Sequence, residues 1–311
     1  MKYSKQYLLE LSFKTNFIKD NLEKVLRLSQ ILNFINSDPF FKNKLALKGG
    51  TAINLIATNL PRLSVDIDLD FTYNLSKDEI VDTKTEISKR LIDYMIQEGY
   101  SLTTSPREHY ALLSFSFSYI NNALNRDNIK IEINFMDRCH ILPLRLSKTL
   151  NNNCFDSFDV LTLNITELYS SKINALLSRA TPRDLYDVNK MIESNIVKDK
   201  ELLKKCTIFY NMIGGEQDID NLSFKNIENI NFLKYKTQLK PVISKDDNFN
   251  LEKAKTNVIT YLKELLTINE TEKSFINEFK QKNYKPELLF DNIEIIENIK
   301  YHPMALWRCK K

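Results

Sequence analysis

Leu45-Ala46-Leu47-Lys48-Gly49-Gly50-Thr51, followed after a short apolar segment by Arg62-Leu63-Ser64-Val65-Asp66-Ile67-Asp68-Leu69-Asp70-Phe71, decides how this chain is read. The 311 residues include only 5 glycines, and two of them are adjacent here. Bare backbone beside a D-x-D suits a close approach to phosphate, with two carboxylates for the metal that phosphate brings. Residues 45–47 predict a short strand entering the glycine pair, and Thr51 to about Asn59 a two-turn helix stopping before Pro61. Strict alternation predicts a strand over Ser64–Phe71. Its period of two puts Asp66, Asp68 and Asp70 on one face and Val65, Ile67, Leu69 and Phe71 on the other, core-facing side.

Two carboxylates two residues apart on a strand repel, and a magnesium ion relieves that repulsion while accepting phosphate oxygens. The plainer reading is a solvent-facing strand edge whose charges serve solubility. The chain contains a control: Gly214-Gly215 precedes Asp218-Ile219-Asp220, with two residues between glycine and aspartate. No helix fits in that gap, and the second copy is expected to be a loop. At the first copy 15 residues separate Gly50 from Asp66, enough for a helix and a return. Gly49 and Gly50 would then offer N–H groups to phosphate, with Thr51 capping the helix.

Alternation in Lys130-Ile131-Glu132-Ile133-Asn134-Phe135 offers Glu132 as a third carboxylate if that strand neighbours the D-x-D strand. An exposed charge on a strand explains it equally well. Farther on, Lys172, Leu176 and Arg179 share a helix face. Thr181-Pro182 restarts a helix as N-cap and N1, which puts Asp184 at N3, a capping role. Arg183 and Asp187 are spaced as an i,i+4 pair, whose ordinary use is a surface salt bridge. Together Lys172, Arg179 and Arg183 concentrate cations suited to a triphosphate.

Around these motifs, residues 4–36 have helical spacing and Ser76-Lys77-Asp78-Glu79 opens a helix that Gly99 closes. Strands are expected over 101–105, 110–119, 129–135 and 159–165, and helices from Thr166 onward. The expected fold class is α/β (α+β): a mixed sheet with flanking helices over residues 1–165, then a mostly helical domain over 166–311 that contributes Lys172 and Asp187. With 44 basic and 40 acidic residues the net charge is +4, which permits a nucleic-acid partner without requiring one. The four cysteines are scattered without a C-x-x-C, and Cys139-His140 is the one adjacent Cys/His pair, so zinc and disulfide frameworks are not expected. No long apolar segment or secretory leader is legible, and a cytoplasmic protein without a membrane partner is expected.

Taken as a set, KGGTA, R-x-S-x-D-I-D-L, the K-I-E-I strand, E-x-x-x-x-K and R-x-x-x-R-D-x-x-D resemble the AbiEii/AbiGii toxin family. These are nucleotidyltransferase-like toxins, MenT-type toxins included, in the DNA polymerase β-like superfamily. The motifs span Lys48 to Asp187. The resemblance implies that Gly50 and Thr51 form the nucleotide-binding turn. It makes Asp66 and Asp68 metal ligands and catalytic residues, and Lys172 and Asp187 the lysine and aspartate of the later motifs, the lysine contacting nucleotide phosphates. Arg62 and Ser64 would support the triphosphate, in a nucleotide-binding set with Lys48, Gly49, Arg179, Arg183 and Asp184. Superfamily relatives often carry Asp as the third carboxylate; Glu132 is one methylene longer, which leaves open whether it touches the metal.

The implied activity is transfer of NMP from an NTP, with magnesium (or manganese), to an RNA 3′ hydroxyl such as the tRNA acceptor end, inhibiting growth. A cognate antitoxin encoded nearby is the implied partner. A protein hydroxyl or an aminoglycoside-like small molecule as acceptor, and a non-catalytic NTP- or partner-binding module, are the alternatives.

Overall fold

The computed structural model describes residues 3–150, 154–214 and 218–310. It comprises two compact units that interleave along the chain: residues 1–138, 145–162 and 242–246 form the first, and residues 139–144, 163–241 and 247–311 the second.

The first unit is built on an eight-stranded mixed sheet. Helices α1 (Lys5–Thr15) and α2 (Lys19–Ser37) precede strand β1 (Leu45–Lys48) and the short helix α3 (Gly49–Ala52). Strand β2 (Asp66–Phe71), helix α4 (Lys77–Gln97), and strands β3 (Ser101–Leu102), β4 (Arg107–Glu108), β5 (Leu112–Ile120), β6 (Arg126–Asn134), β7 (Arg145–Lys148) and β8 (Asp159–Thr162) follow. The order is β3-β5-β6-β2-β1-β8-β7, with β4 on β5. Pairs β2–β6 and β1–β8 are parallel. The expected mixed sheet with flanking helices is therefore the observed fold class.

The alternation that predicts β2 also makes its core. Ile67, Leu69 and Phe71 are buried with Ile131, Ile133 and Phe135 of and just beyond β6. The Phe71 and Phe135 rings stack at 5.0 Å, a contact worth about 1 kcal/mol beyond its buried area.

Several boundaries differ from the sequence reading. The first helical stretch breaks at Asn16, which takes the left-handed conformation (φ 56°), while Ser12 Oγ donates to Phe17 O. The run over 101–105 yields only two strand residues before Pro106, and residues 107–108 form a second short strand. The hairpin β5–β6 extends further toward its turn than alternation suggests. Asn121 Oδ1 accepts from Ala123 N and Asn125 N and closes that turn. The expected strand over 159–165 stops at Thr162, because Asn164 caps a helix. The serine cap at Ser76 forms both bonds of its capping box, as expected.

The second unit is helical: α5 (Ile165–Arg179), α6 (Pro182–Ser194), α7 (Lys200–Gly214), the short α8 (Lys225–Glu228) and α9 (Phe232–Lys234), then α10 (Leu251–Leu265), α11 (Glu270–Lys280), α12 (Ile293–Ile299) and α13 (Pro303–Lys310). Its core includes Cys206, Phe209, Phe275, Ile276, Phe290 and Ile299, with Ile141 packed among them. Glu167, fully buried on α5, accepts from the N–H groups of Ile141 and Leu142 and from Tyr210 Oη. A buried carboxylate with three donors is satisfied, so Glu167 fixes segment 139–144 in this unit.

Candidate active site

The glycine turn sits at the end of β1. Gly49 has φ +69°, a left-handed conformation that disfavours any side chain. A Cβ there would also lie 2.5 Å from Asp68 Oδ2. At Gly50 a Cβ would meet Arg62 Nη2 at 2.6 Å and Ser64 Oγ at 3.1 Å. The two glycines thus let backbone lie directly against the D-x-D aspartate, the arginine and the serine that the sequence reading grouped together.

Helix α3 starts at Gly49, two residues earlier than expected, with Lys48 as its N-cap residue and no side-chain cap. Thr51 is therefore not the cap. It lies inside the helix, buried, and its Oγ1 donates to Asp66 O at 2.5 Å. That bond ties the turn to the first residue of β2 and fixes where Asp66 begins. Asn54, also buried and not singled out from sequence, donates through Nδ2 to Gly50 O at 2.6 Å. Five residues (Ile53–Ala57) then continue as a π turn, closed by Thr58 N on Ile53 O.

The register of β2 on β6 pairs Asp66 with Lys130, Asp68 with Glu132 and Asp70 with Asn134. Glu132 therefore stands beside Asp68 on the same face of the sheet, and its Oε2 lies 2.6 Å from Lys130 Nζ. Asp66 and Asp68 are half-buried, whereas Asp70 is 1% exposed. Asp70 pairs with Lys48 at 2.5 Å, and Lys48 also reaches Asp137 at 3.4 Å. Burial alone would lower the Lys48 pKa. The Asp70, Asp137 and Asp68 carboxylates outweigh it and hold the ammonium above the ordinary lysine range.

Among the described residues, no group of three His, Cys, Asp or Glu side chains forms a ready-made metal cage. Magnesium does not require one: it is usually held by one or two carboxylates together with water and substrate phosphates. A pair of half-buried aspartates on one strand face, against a turn that only glycine fits, suits that mode of binding.

In the second unit the expected cations and acids converge more tightly than their spacing suggests. Lys172 Nζ lies 2.9 Å from Asp184 Oδ1 and 3.2 Å from Asp187 Oδ2, with all three side chains almost fully buried. Arg179 grips Asp184 through Nε at 2.8 Å and Nη2 at 3.1 Å. Thr181 is the N-cap of α6, as expected, and its hydroxyl also donates to Asp184 Oδ2 at 2.7 Å. Burial would raise the Asp184 pKa, but Lys172, then Arg179 and Thr181, hold it well below the usual carboxylate range. Asp184 is thus a buried junction of charges rather than simply a helix-capping residue. Asp187 is likewise buried against Lys172, so its environment is not that of a surface i,i+4 pair; Arg183 Nε donates to Gln238 O at 2.9 Å.

The fold and sequence together define the class. The chain belongs to the AbiEii family, described as the nucleotidyl transferase AbiEii toxin of type IV toxin–antitoxin systems, which matches residues 30–282. Among solved structures it is similar to MenT4, a nucleotidyltransferase toxin from Mycobacterium tuberculosis H37Rv. That likeness has a TM-score of 0.66 at 14% identity and covers 98% of this chain and 99% of that one, so it is a likeness of fold. No curated protein matches the sequence. The protein is thus a toxin-type nucleotidyltransferase of the AbiEii family. Among the described residues, no helix is long and apolar enough to cross a membrane.

Proposed function

We propose that the protein transfers NMP from an NTP to the 3′ hydroxyl of an RNA, the tRNA acceptor end being the favoured target, and that this transfer inhibits growth in the cytoplasm. The observation that carries the reading is the packing of the Gly49–Gly50 turn on Asp68, Arg62 and Ser64, with Glu132 in register beside Asp68.

On this reading Asp66 and Asp68 hold magnesium, with Glu132 as the third carboxylate, and manganese is the alternative ion. The ion, when bound, neutralises phosphate charge and favours attack by a hydroxyl. The backbone of Gly49, Gly50 and Thr51 receives the triphosphate, and Arg62 and Ser64 support it from behind the turn. Lys48, held charged by its carboxylates, keeps the local potential from becoming wholly negative. Lys172 contacts nucleotide phosphates, and Asp187, paired with it, helps activate the acceptor hydroxyl. Arg179, Arg183 and Asp184 complete the nucleotide-binding set, with Asp184 orienting Lys172 and Arg179. An antitoxin encoded nearby is the expected partner, as the family's description implies.

The test is incubation of the protein with each labelled NTP and magnesium, in the presence of total RNA, total protein or an aminoglycoside. Label at RNA 3′ ends supports the reading. Label confined to protein or to the small molecule would replace the acceptor, and no transfer to any acceptor would leave a binding module.

A further inference from the structure

Between Glu228 and Asp246 the chain carries no acidic residue, and Lys234, Lys236 and Lys240 stand in that interval within the helical unit. Lys245, beside Asp246, is the fourth lysine of the interval, and the three in the helical unit lie six or more residues from the nearest acid in sequence. The segment folds as α9, continues through a π turn (Tyr235–Leu239) and ends in a 3-10 turn (Lys240–Val242).

Its two sides differ. Leu239 is fully buried, and Tyr235 stacks on Phe249 with ring centroids 6.1 Å apart. On the outer side Phe232 is 67% exposed and Leu233 68%, and the three lysines are exposed with them. Elsewhere in this unit the exposed Lys280 is met by Asp218 and Asp220, and the half-buried Lys205 by Asp291. Among the described residues, Lys234, Lys236 and Lys240 have no such partner within 4.0 Å. The bond from Arg183 Nε to Gln238 O ties the segment to α6, one turn from Asp187.

Clustered lysines without acids repel one another, and an exposed Phe–Leu pair leaves apolar surface in water. One kind of partner relieves both: a chain of phosphates that also presents flat apolar faces. Single strands do this because their bases are unstacked, whereas a duplex hides them. We infer that residues 232–240 form a docking surface for single-stranded RNA, with the lysines on phosphates and Phe232 against a base. The choice of RNA rests on the acceptor proposed above.

The test measures binding of a 5′-labelled single-stranded oligoribonucleotide to the full chain by fluorescence anisotropy, across a salt series and without NTP. The triple variant Lys234→Gln/Lys236→Gln/Lys240→Gln is expected to bind about 10-fold more weakly at low salt. Its log-affinity against log-salt slope should fall by about 2, at roughly 0.7 for each phosphate no longer neutralised. Phe232→Ala is expected to weaken binding roughly 5- to 100-fold with the slope unchanged. All four side chains are exposed, and thermal melting should match the parent.

Parental affinity and slope in both variants would overturn the inference. So would parental RNA binding together with failure to capture an acidic protein partner, which would make the surface a protein-docking site. The acceptor reading fails separately. If the parent binds RNA through this segment yet never labels it, the surface stands and the acceptor does not. If the parent labels RNA and both variants do so at the same KM, the acceptor stands and the surface does not.

Discussion

Asp66-Ile67-Asp68 and Asp218-Ile219-Asp220 are the same tripeptide in two settings, and what faces each pair of carboxylates separates them. The first opens β2, paired with β6 throughout and with β1 from Asp68 onward, with Ile67 fully buried and Asp68 pressed against a glycine turn. The second caps a single 3-10 turn (Ile219–Asn221), and its carboxylates converge on Lys280 at 2.9 and 2.5 Å. Hydrogen bonds from Lys280 and Asn221 hold the Asp218 carboxyl below its ordinary range. One pair is pressed against a turn that only glycine fits; the other is gripped directly by the ammonium of Lys280. A D-x-D is thus defined chemically by its counter-surface.

The strongest way to break this comparison is to remove one aspartate from each copy. Asp68→Ala is expected to cut NMP transfer on the order of 10³-fold, the several kcal/mol a metal-holding carboxylate supplies, while Asp220→Ala leaves it at the parental rate. Equal losses in a radiolabelled transfer assay would abolish the distinction.

A third acid sharpens it. Asp184, unlike Asp218, is buried, and Asp184→Asn leaves Lys172 and Arg179 without their shared carboxylate, at an expected cost of about 3 kcal/mol. The sign in pH follows from its depressed folded pKa. Its stabilisation is complete above the unfolded value near 4 and is lost as pH falls below that toward the folded value. Urea midpoints from pH 6 down to pH 2 should therefore converge for parent and variant on the acid side, and a constant gap would show that charge is not the cause.

The glycines give a matched contrast of smaller size. Gly49→Ala combines a left-handed φ with a clash on Asp68, and a displacement of that carboxylate should lower transfer by about 10²-fold. Gly214→Ala points into open space and should leave both activity and melting temperature unchanged. The smallest effect belongs to Lys280→Ala: an exposed pair of this kind contributes about 1 kcal/mol or less, read as a small shift in the urea midpoint.

What was legible in the sequence is what short-range physics dictates. Alternation gave β2, Ser76 and Thr181 announced their helices, and the gap between Gly50 and Asp66 distinguished the two D-I-D copies. What was not legible depended on partners distant in sequence. Nothing near Lys48 says that Asp70 and Asp137 hold it. Spacing suggested that Asp184 caps a helix, but Lys172, twelve residues earlier on another helix, shares its carboxylate. Thr51 has the side chain of an N-cap and is used instead to bond Asp66 O, because the left-handed Gly49 starts the helix early. The break at Asn16 turns on one residue's tolerance of positive φ, which apolar periodicity does not report.

The interleaving of the two units carries a consequence for synthesis. The unit holding Asp66 and Asp68 takes β7, β8 and residues 242–246 from farther along the chain, so it lacks pieces until residue 246 has left the ribosome. Strand β1, which carries the glycine turn, pairs on one side with β8. A nascent or prematurely ended chain would expose the motif before the scaffold that aims it exists. That arrangement delays competence until residue 246 has been made.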